Sequence, residues 1–262
     1  MKITDVQACV IGRPEPHSGG CIWTFVRVYT DEGIIGTGEC SSAAAGASGF
    51  AVKEAILAMK PWLLGKDPTN PGPIYENLRR RGRYGGTSNA PLIFAITGIE
   101  NALYDITGKA LGVPIYKLLG GKYRDRIRLY ADLHAGDEET AVAYAEKAQQ
   151  VSEDEGYSAV KFDVDHTGVG KLDPTNWTAG AREMTHIIDL IRTTREAIGD
   201  KVDLAIDCHG QFDLPSAITL AKAVEDLRLM WLEEPVPAEN VEALAQVRAS
   251  TSTIICTGEN QY

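Results

Sequence analysis

The sequence has few of the features that mark secreted, membrane or zinc-binding proteins. Its 262 residues include five cysteines, an odd number, and no two of them form a Cys-x-x-Cys pair. Neither a disulfide framework nor a zinc knuckle is therefore indicated, and a reducing compartment is the simplest inference. No apolar run approaches the roughly 20 residues that a membrane span requires, and the N-terminus, MKITDVQACVIG, lacks a signal pattern. These absences predict a cytoplasmic protein without a membrane partner.

Basic residues are scarce relative to acidic ones. Lys and Arg number 26 against 36 Asp and Glu, which gives a formal net charge of −10. No basic patch is available to neutralise phosphates, which argues against a nucleic-acid partner. With 44% hydrophobic and 24% charged residues, the composition is that of a globular protein with one large domain or two smaller ones.

The N-terminal part of the chain changes from a strand pattern to a helix pattern. ITDVQACVIG and CIWTFVRVYTDEGIIGTGEC alternate as strands do, and Asp31-Glu32-Gly33 is a strong hairpin turn. From about Ser48 to Leu119 the apolar spacing becomes helical, most clearly in FAITGIENALYDITGKALG. Strands followed by helices predict an α+β domain over residues 1–125.

From residue 126 onwards, predicted strands alternate with predicted helices. The strand segments are RIRLYADL, YSAVKFDVD, VDLAIDCHG, RLMWLEEP and STIICTGEN, with helices such as MTHIIDLIRTTREAIG between them. This alternation predicts a parallel β/α barrel of the TIM type over residues 126–262. A complete barrel has eight strands and about 250 residues, so we expect this barrel to be truncated after its fifth strand and the functional protein to be longer.

Three carboxylates follow the last three strand segments at intervals of 26 residues, from 207 to 233 and from 233 to 259. They are Asp207, Glu233 and Glu259. Each βα unit of a barrel takes roughly 25–30 residues, so equal spacing predicts three acids at the same height on neighbouring strands. Converging carboxylates suit Mg²⁺, a hard cation that prefers oxygen ligands. The alternative is that each acid caps a helix or lies in a solvated loop.

These motifs, taken in order, resemble those of the enolase superfamily, in its mandelate racemase/muconate lactonizing enzyme branch. The resemblance extends over the whole chain and is carried by ENALYDITGKALGVPIYKLLGG, Lys161, Asp207, Glu233-Glu234-Pro235 and Gly258-Glu259-Asn260. It implies a capping α+β domain over a modified barrel, with Mg²⁺ held by Asp207, Glu233 and Glu259. It also implies removal of a proton alpha to a carboxylate, with the cation stabilising the ene-diolate. In relatives the base that removes this proton lies on the sixth and seventh strands, which here would be beyond residue 262.

Two local motifs indicate which subgroup of this branch the chain resembles. Racemases and many dehydratases of this branch carry Lys-x-Lys on the second strand, whereas this chain has Lys161-Phe162-Asp163, which argues against a two-base racemase. The third strand reads Asp207-Cys208-His209-Gly210, and this Asp-x-His pattern resembles the galactonate and mannonate dehydratase groups. The resemblance implies that His209 is a general acid, and strand alternation predicts its side chain on the same face as Asp207. The alternative is a hydrogen-bonded structural histidine.

The remaining predicted site residues surround this centre. Lys161, at the end of a buried strand, is predicted to hold the substrate carboxylate or a distal hydroxyl, and the alternative is a surface lysine. Asp163, His17 and Trp23 are predicted to bind substrate, the last two in and after a loop of the capping domain. Glu234 and Asn260 are predicted to orient the metal ligands.

Together with the metal-ligand pattern, the resemblance implies a Mg²⁺-dependent hydro-lyase of carbohydrate catabolism. It would convert a sugar acid of the aldonate or aldarate class, its small-molecule partner, to a 2-keto-3-deoxy acid. One alternative is a cycloisomerase or epimerase of the same superfamily, which needs no acid for a leaving hydroxyl. Another is a non-catalytic metal-binding fragment. The resemblance also implies a homo-oligomer.

Overall fold

The structure, a computed structural model, describes residues 1–12, 22–40, 47–82, 90–135, 140–165 and 177–261. The chain divides into two compact units, Met1–Arg126 and Ile127–Gln261. Each unit has its own cluster of buried hydrophobic side chains. Within the described ranges, none of the helices has both the length and the hydrophobicity that crossing a bilayer requires.

The N-terminal unit opens with three antiparallel strands. They are β1 (Ile3–Gly12), β2 (Ile22–Thr30) and β3 (Ile35–Cys40), paired in the order β1-β2-β3. The predicted alternation is confirmed in β2, where Val26 and Val28 are buried and Arg27 between them is exposed. The predicted hairpin turn is also confirmed, because Gly33 has φ 80° and its N–H donates to the Thr30 carbonyl at 3.2 Å.

The helices of this unit are α1 (Ala47–Leu63), α2 (Pro71–Gly82), α3 (Ala90–Leu111) and α4 (Ile115–Leu118). The long helix α3 packs on β3 at very short range. A Cβ atom on Gly36 would lie 2.1 Å from the carbonyl oxygen of Ala102, and one on Gly38 would lie 2.0 Å from that of Gly98. Glycine at both positions of the strand therefore allows the two backbones to touch.

The C-terminal unit alternates strands and helices. Its elements are β4 (Ala131–Leu133), α5 (Ala141–Glu153), β5 (Ala159–Asp163), α6 (Ala181–Ile198), β6 (Asp203–Asp207), α7 (Leu214–Ala223), β7 (Trp231–Glu233), α8 (Val241–Ser250) and β8 (Ile255–Cys256). All neighbouring strands pair in parallel, in the order β4-β5-β6-β7-β8. The predicted α+β unit followed by a parallel α/β unit is therefore confirmed.

Three of these strands are much shorter than the sequence pattern predicts. Strand pairing covers three residues in β4, three in β7 and two in β8. The predicted strand segment RIRLYADL begins at Arg126, but strand pairing begins only at Ala131, and the guanidinium of Arg128 donates to the Ser158 carbonyl at 2.7 Å. The predicted strand pattern thus extends beyond the backbone ladder, and residues 126–130 are all exposed.

Side chains alternate between the two faces of this parallel sheet. Phe162, Ile206 and Leu232 join the hydrophobic core under the helices, and the ring of Phe162 lies 4.8 Å from that of Tyr144 in α5. The opposite face carries two rows of residues aligned by strand register: Asp132, Lys161, Ala205 and Trp231 in one row, and Asp163, Asp207, Glu233 and Cys256 in the next. Polar groups therefore collect on one face, near the C-terminal ends of the strands.

Arg195 in α6 fixes the segments that lead into β6 and β7. Its guanidinium donates to the carbonyl oxygens of Gly199, Val202, Leu227 and Arg228 at 2.9, 2.7, 2.9 and 3.3 Å. Four main-chain acceptors are satisfied by one planar donor group, an arrangement that the fork of an arginine allows and a lysine does not. The two strands that end in Asp207 and Glu233 therefore start from a shared anchor.

Candidate metal centre and active site

The three acids spaced 26 residues apart come together at one end of the parallel sheet. Asp207 and Glu233 are the last residues of β6 and β7 and are direct register partners. The register partner of Glu233 on β8 is Cys256, however, so Glu259 lies three residues further along the chain. Carboxylate oxygens of all three acids nevertheless lie within 4.8 Å of one another. The predicted convergence is present, but the expectation of equal height is wrong for Glu259, which reaches the cluster from the turn after β8.

Glu234 shapes the turn that carries Glu259. Its side chain is 3% exposed, and Oε1 accepts from the main-chain N–H groups of Gly258 at 3.3 Å and Asn260 at 3.4 Å. Oε2 accepts from the side-chain amide of Asn260 at 2.7 Å, and the hydroxyl of Thr257 donates to Oε1 at 3.3 Å. The carboxylate therefore holds donors on both sides of Glu259. These contacts support the predicted orienting role of Glu234 and Asn260.

Lys161 lies directly against the acid cluster. Its Nζ donates to Asp207 Oδ2 at 2.6 Å and lies 3.6 Å from Glu233 Oε2. Only 11% of its side chain is exposed, so the alternative of a surface lysine is wrong. Burial disfavours the ammonium, but the hydrogen bond and charge of Asp207 outweigh this effect and raise the pKa of Lys161. A fixed positive charge thus lies beside the carboxylates.

Trp231 adds a second donor to the same centre. Its indole Nε1–H donates to Glu233 Oε2 at 2.9 Å, and its ring meets that of Tyr130 edge to face at a centroid distance of 5.9 Å. The ring of Tyr130 also lies 5.7 Å from Lys161 Nζ, in the range of a cation–π contact. An aromatic pair, Trp231 in β7 and Tyr130 just before β4, therefore contacts both Glu233 and Lys161.

The acid cluster fits Mg²⁺ by donor type, charge and size. Mg²⁺ takes oxygen ligands at about 2.0–2.1 Å, so two ligands on opposite sides of one ion are about 4 Å apart, close to the 4.8 Å that encloses these oxygens. Burial, followed by the charge of Asp207, raises the pKa of Glu233. A cation between the acids would favour the ionised form of Glu233 and relieve this repulsion. The residues present therefore suit a hard divalent cation.

His209 lies at the edge of this cluster through a left-handed turn. Strand β6 ends at Asp207, and His209 and Gly210 have φ of 44° and 69°. The main-chain N–H of His209 donates to Asp207 Oδ1 at 3.2 Å, and its ring Nε2 lies 3.8 Å from Asp207 Oδ2. The predicted proximity to Asp207 is present, but the predicted reason, strand alternation, is wrong.

Asp165 contacts the other nitrogen of the same imidazole. Its Oδ2 lies 3.1 Å from His209 Nδ1, and this hydrogen bond raises the pKa of His209 to about 9 despite partial burial. Asp163, Asp165 and His209 have ligand atoms within 4.8 Å of one another. Burial raises the pKa of Asp163, the register partner of Asp207. Asp163 therefore lies beside the centre, and its predicted contact with substrate stays a prediction.

The two residues predicted in the capping domain have different outcomes. His17 lies outside the described residues. Trp23 is half-buried in β2 and is the register partner of Ile11 on β1. Its role in substrate binding stays a prediction.

Sequence reasoning missed Asp165, Trp231 and Tyr130. A signal was available for Trp231, because it lies two residues before Glu233 in β7 and so shares its face of the sheet. Asp165 lies two residues after Asp163 but beyond the end of β5, so strand alternation does not place it. Tyr130 precedes the first paired residue of β4, and no pattern in the sequence identifies it.

Two family models match the chain. The model for the mandelate racemase / muconate lactonizing enzyme, N-terminal domain, matches residues 20–120, and the one described as enolase C-terminal domain-like matches residues 143–262. A solved structure, of a mandelate racemase/muconate lactonizing enzyme-like protein from Rubrobacter xylanophilus, is 38% identical with a TM-score of 0.87. It is matched over 100% of this chain and 67% of its own. The chain therefore belongs to the mandelate racemase/muconate lactonizing enzyme branch of the enolase superfamily.

The curated relatives include proteins named as dehydratases. D-xylonate dehydratase of Haloferax volcanii is 42% identical over 261 residues, which are 100% of this chain and 60% of the relative. D-galactonate dehydratase of Xanthomonas oryzae pv. oryzae is 36% identical over 241 residues, or 92% of this chain and 59% of the relative. The chain thus spans about 60% of the length of these relatives.

Proposed function

We propose that the protein is a Mg²⁺-dependent hydro-lyase that removes water from a sugar acid of the aldonate or aldarate class. The product is a 2-keto-3-deoxy acid. One observation carries the proposal: an all-carboxylate cluster of Asp207, Glu233 and Glu259 with a histidine ring nitrogen at its edge. The names of the D-xylonate and D-galactonate dehydratases among the relatives support the same reaction class.

Asp207, Glu233 and Glu259 are proposed to hold the cation. Bound Mg²⁺ would supply positive charge where the substrate carboxylate becomes more negative during removal of the alpha proton. Lys161 adds a second positive charge 2.6 Å from Asp207. Its ammonium orients an incoming carboxylate toward the centre and limits the repulsion between the substrate and the three acids.

His209 is proposed to donate a proton to the departing hydroxyl. A hydroxide ion is a poor leaving group, so an acid within reach of the beta oxygen lowers the barrier to elimination. The ring is half-exposed and next to the cation ligands, where a substrate that contacts the cation can reach it. The base for the alpha proton belongs, by the family resemblance, to strands that follow residue 262 in relatives.

The remaining site residues are assigned to binding and support. Asp163 is proposed to accept hydrogen bonds from substrate hydroxyls, and His17 and Trp23 to contact the distal end of the substrate. Glu234 and Asn260 are proposed to hold the turn that presents Glu259. A homo-oligomeric, cytoplasmic enzyme of carbohydrate catabolism, with residues 1–125 as the capping domain and 126–262 as barrel, completes the proposal.

A substrate screen tests this function. The full-length protein with Mg²⁺ is incubated with a library of sugar acids, and the 2-keto-3-deoxy product is detected as its semicarbazone. We expect product from one or a few aldonates, its loss with EDTA, and its recovery when Mg²⁺ is restored. Rearranged product without loss of water would show a cycloisomerase or epimerase instead. Mg²⁺ binding without product or alpha-proton exchange from any member would refute the dehydratase.

A further inference from the structure

We propose that Asp165 is the positioning residue that orients His209 and assigns proton delivery to ring atom Nε2. This inference rests on the proposed function, because it concerns the acid of the elimination step. It is carried by a juxtaposition: a buried carboxylate on one ring nitrogen of His209, and the acid cluster on the other side of the same ring.

The two ring nitrogens have different surroundings. Nδ1 lies 3.1 Å from Asp165 Oδ2, whereas Nε2 lies 3.8 Å from Asp207 Oδ2. An ionised carboxylate only accepts hydrogen bonds, so Asp165 selects the form of the ring in which Nδ1 carries a hydrogen. Nε2 then faces the predicted cation ligands, and its proton is the one directed at a substrate bound there.

Asp165 is well placed to hold the ring. Its side chain is 2% exposed, whereas that of His209 is 37% exposed. The preceding residue is fixed as well, because the N–H of Val164 donates to the Asp207 carbonyl at 3.0 Å and the Val164 side chain is fully buried. A rigid, desolvated carboxylate therefore restrains a ring that is otherwise half in solvent and attached to a turn.

The elimination step moves one proton from His209 Nε2 to the leaving oxygen of the substrate. Loss of the alpha proton leaves an electron pair on the substrate, which forms the double bond between the alpha and beta carbons. The bond from the beta carbon to its hydroxyl oxygen breaks, and the oxygen takes that pair together with the proton from Nε2. Water leaves, the ring is neutral with its hydrogen still on Nδ1, and the enol product tautomerises to the 2-keto-3-deoxy acid. Asp165 neither gains nor loses a proton.

The first test is Asp165→Asn in the full-length protein with Mg²⁺. General acid catalysis contributes about 10²–10⁴-fold, so we expect dehydration to slow by about 10–1,000-fold as the ring loses its orientation. Exchange of the alpha hydrogen in D₂O, followed by NMR, precedes proton delivery and is expected to fall by less than about 3-fold. Mg²⁺ affinity, from calorimetric titration, is expected to stay within about 3-fold of wild type. Merely structural damage would reduce dehydration, exchange and Mg²⁺ binding together.

A double-variant cycle tests whether Asp165 acts through His209. His209→Asn is the reference, because asparagine tolerates the left-handed backbone at φ 44°. We expect Asp165→Asn to cause no further loss of dehydration in the His209→Asn background. Asp189→Asn, the same change at an exposed position of α6, is the charge-matched control. Independent losses that multiply in the double variant would overturn the inference.

Crystal structures of wild type and Asp165→Asn give a readout that does not need turnover. We expect the wild-type ring of His209 to contact Asp165 through Nδ1, and the ring of the variant to rotate or occupy several orientations. A ring that keeps its wild-type orientation in the variant would overturn the inference even if the enzyme dehydrates sugar acids. A wild-type ring held by Asp165 in a protein that dehydrates no sugar acid would refute the proposed function and leave the positioning intact.

Discussion

Replacement of Trp231 by phenylalanine should weaken cation binding without removing a cation ligand. The indole Nε1–H of Trp231 donates to Glu233 Oε2 at 2.9 Å. Phenylalanine keeps a ring against Tyr130, where the centroids are 5.9 Å apart, and deletes the donor. The change therefore isolates one hydrogen bond to one proposed ligand.

The structure sets the size of the effect. A hydrogen bond to a charged group contributes about 1.5–3 kcal/mol, which corresponds to roughly 10–150-fold in affinity. Trp231 is only half-buried, so water can replace part of the lost bond, and we expect Mg²⁺ to bind about 10–30-fold more weakly. That range agrees with the ~10–100-fold generally lost when a partner of a metal ligand is removed.

Calorimetric titration with Mg²⁺ measures this change directly. Trp62→Phe is the matched control, because Trp62 belongs to the N-terminal unit, where its ring centroid lies 5.1 Å from the Arg81 guanidinium. We expect the control to bind Mg²⁺ as wild type does. Equal Mg²⁺ affinities for Trp231→Phe and wild type would refute the argument that the indole orients Glu233.

Three further predictions concern the turn at Glu259 and the packing of each unit. Glu234→Gln is expected to weaken Mg²⁺ binding about 10-fold, because both carboxylate oxygens accept hydrogen bonds and an amide nitrogen would face a donor in either orientation. Unchanged affinity would contradict the role of this carboxylate. Gly38→Ala is expected to destabilise the N-terminal unit by more than ~2 kcal/mol, because the new methyl would lie 2.0 Å from a carbonyl oxygen of α3. Gly72→Ala is the control, because a methyl there meets no atom within 4 Å. Urea unfolding curves that are the same for both variants would show that α3 can move away from the strand. Arg195→Met is expected to lower the free energy of unfolding by ~2–4 kcal/mol, because it removes the donor to four carbonyl oxygens. A loss of stability no larger than that of a surface arginine variant would contradict the role of Arg195 as an anchor.

The sequence predicts the parts of the site that depend on strand periodicity. Asp207 and Glu233 end buried strands, and the alternation of side chains places both on the polar face of the sheet. The same alternation places the side chain of Lys161 on this polar face. Each of these residues belongs to a backbone ladder, so its direction is determined by local pattern and strand register.

The parts that depend on loops were harder to predict. Glu259 belongs to a turn whose position depends on hydrogen bonds to Glu234, and no periodicity encodes those bonds. His209 lies beyond the end of β6 with φ 44°, so its direction depends on a backbone reversal. The predicted start of β4 was wrong for a related reason. Backbone pairing depends on a neighbouring strand, whereas the apolar pattern of the sequence depends on one segment alone.

The two left-handed residues next to the acids have a consequence for evolution and engineering. His209 at φ 44° and Glu234 at φ 37° each follow closely after a proposed cation ligand. A non-glycine residue in this region costs roughly 1–2 kcal/mol relative to glycine. Glycine at either position would relieve this backbone cost, but it would also remove the proposed acid at 209 or the four hydrogen bonds that Glu234 accepts. The chain therefore accepts a local backbone cost at the two positions that carry the proposed acid and the support of Glu259.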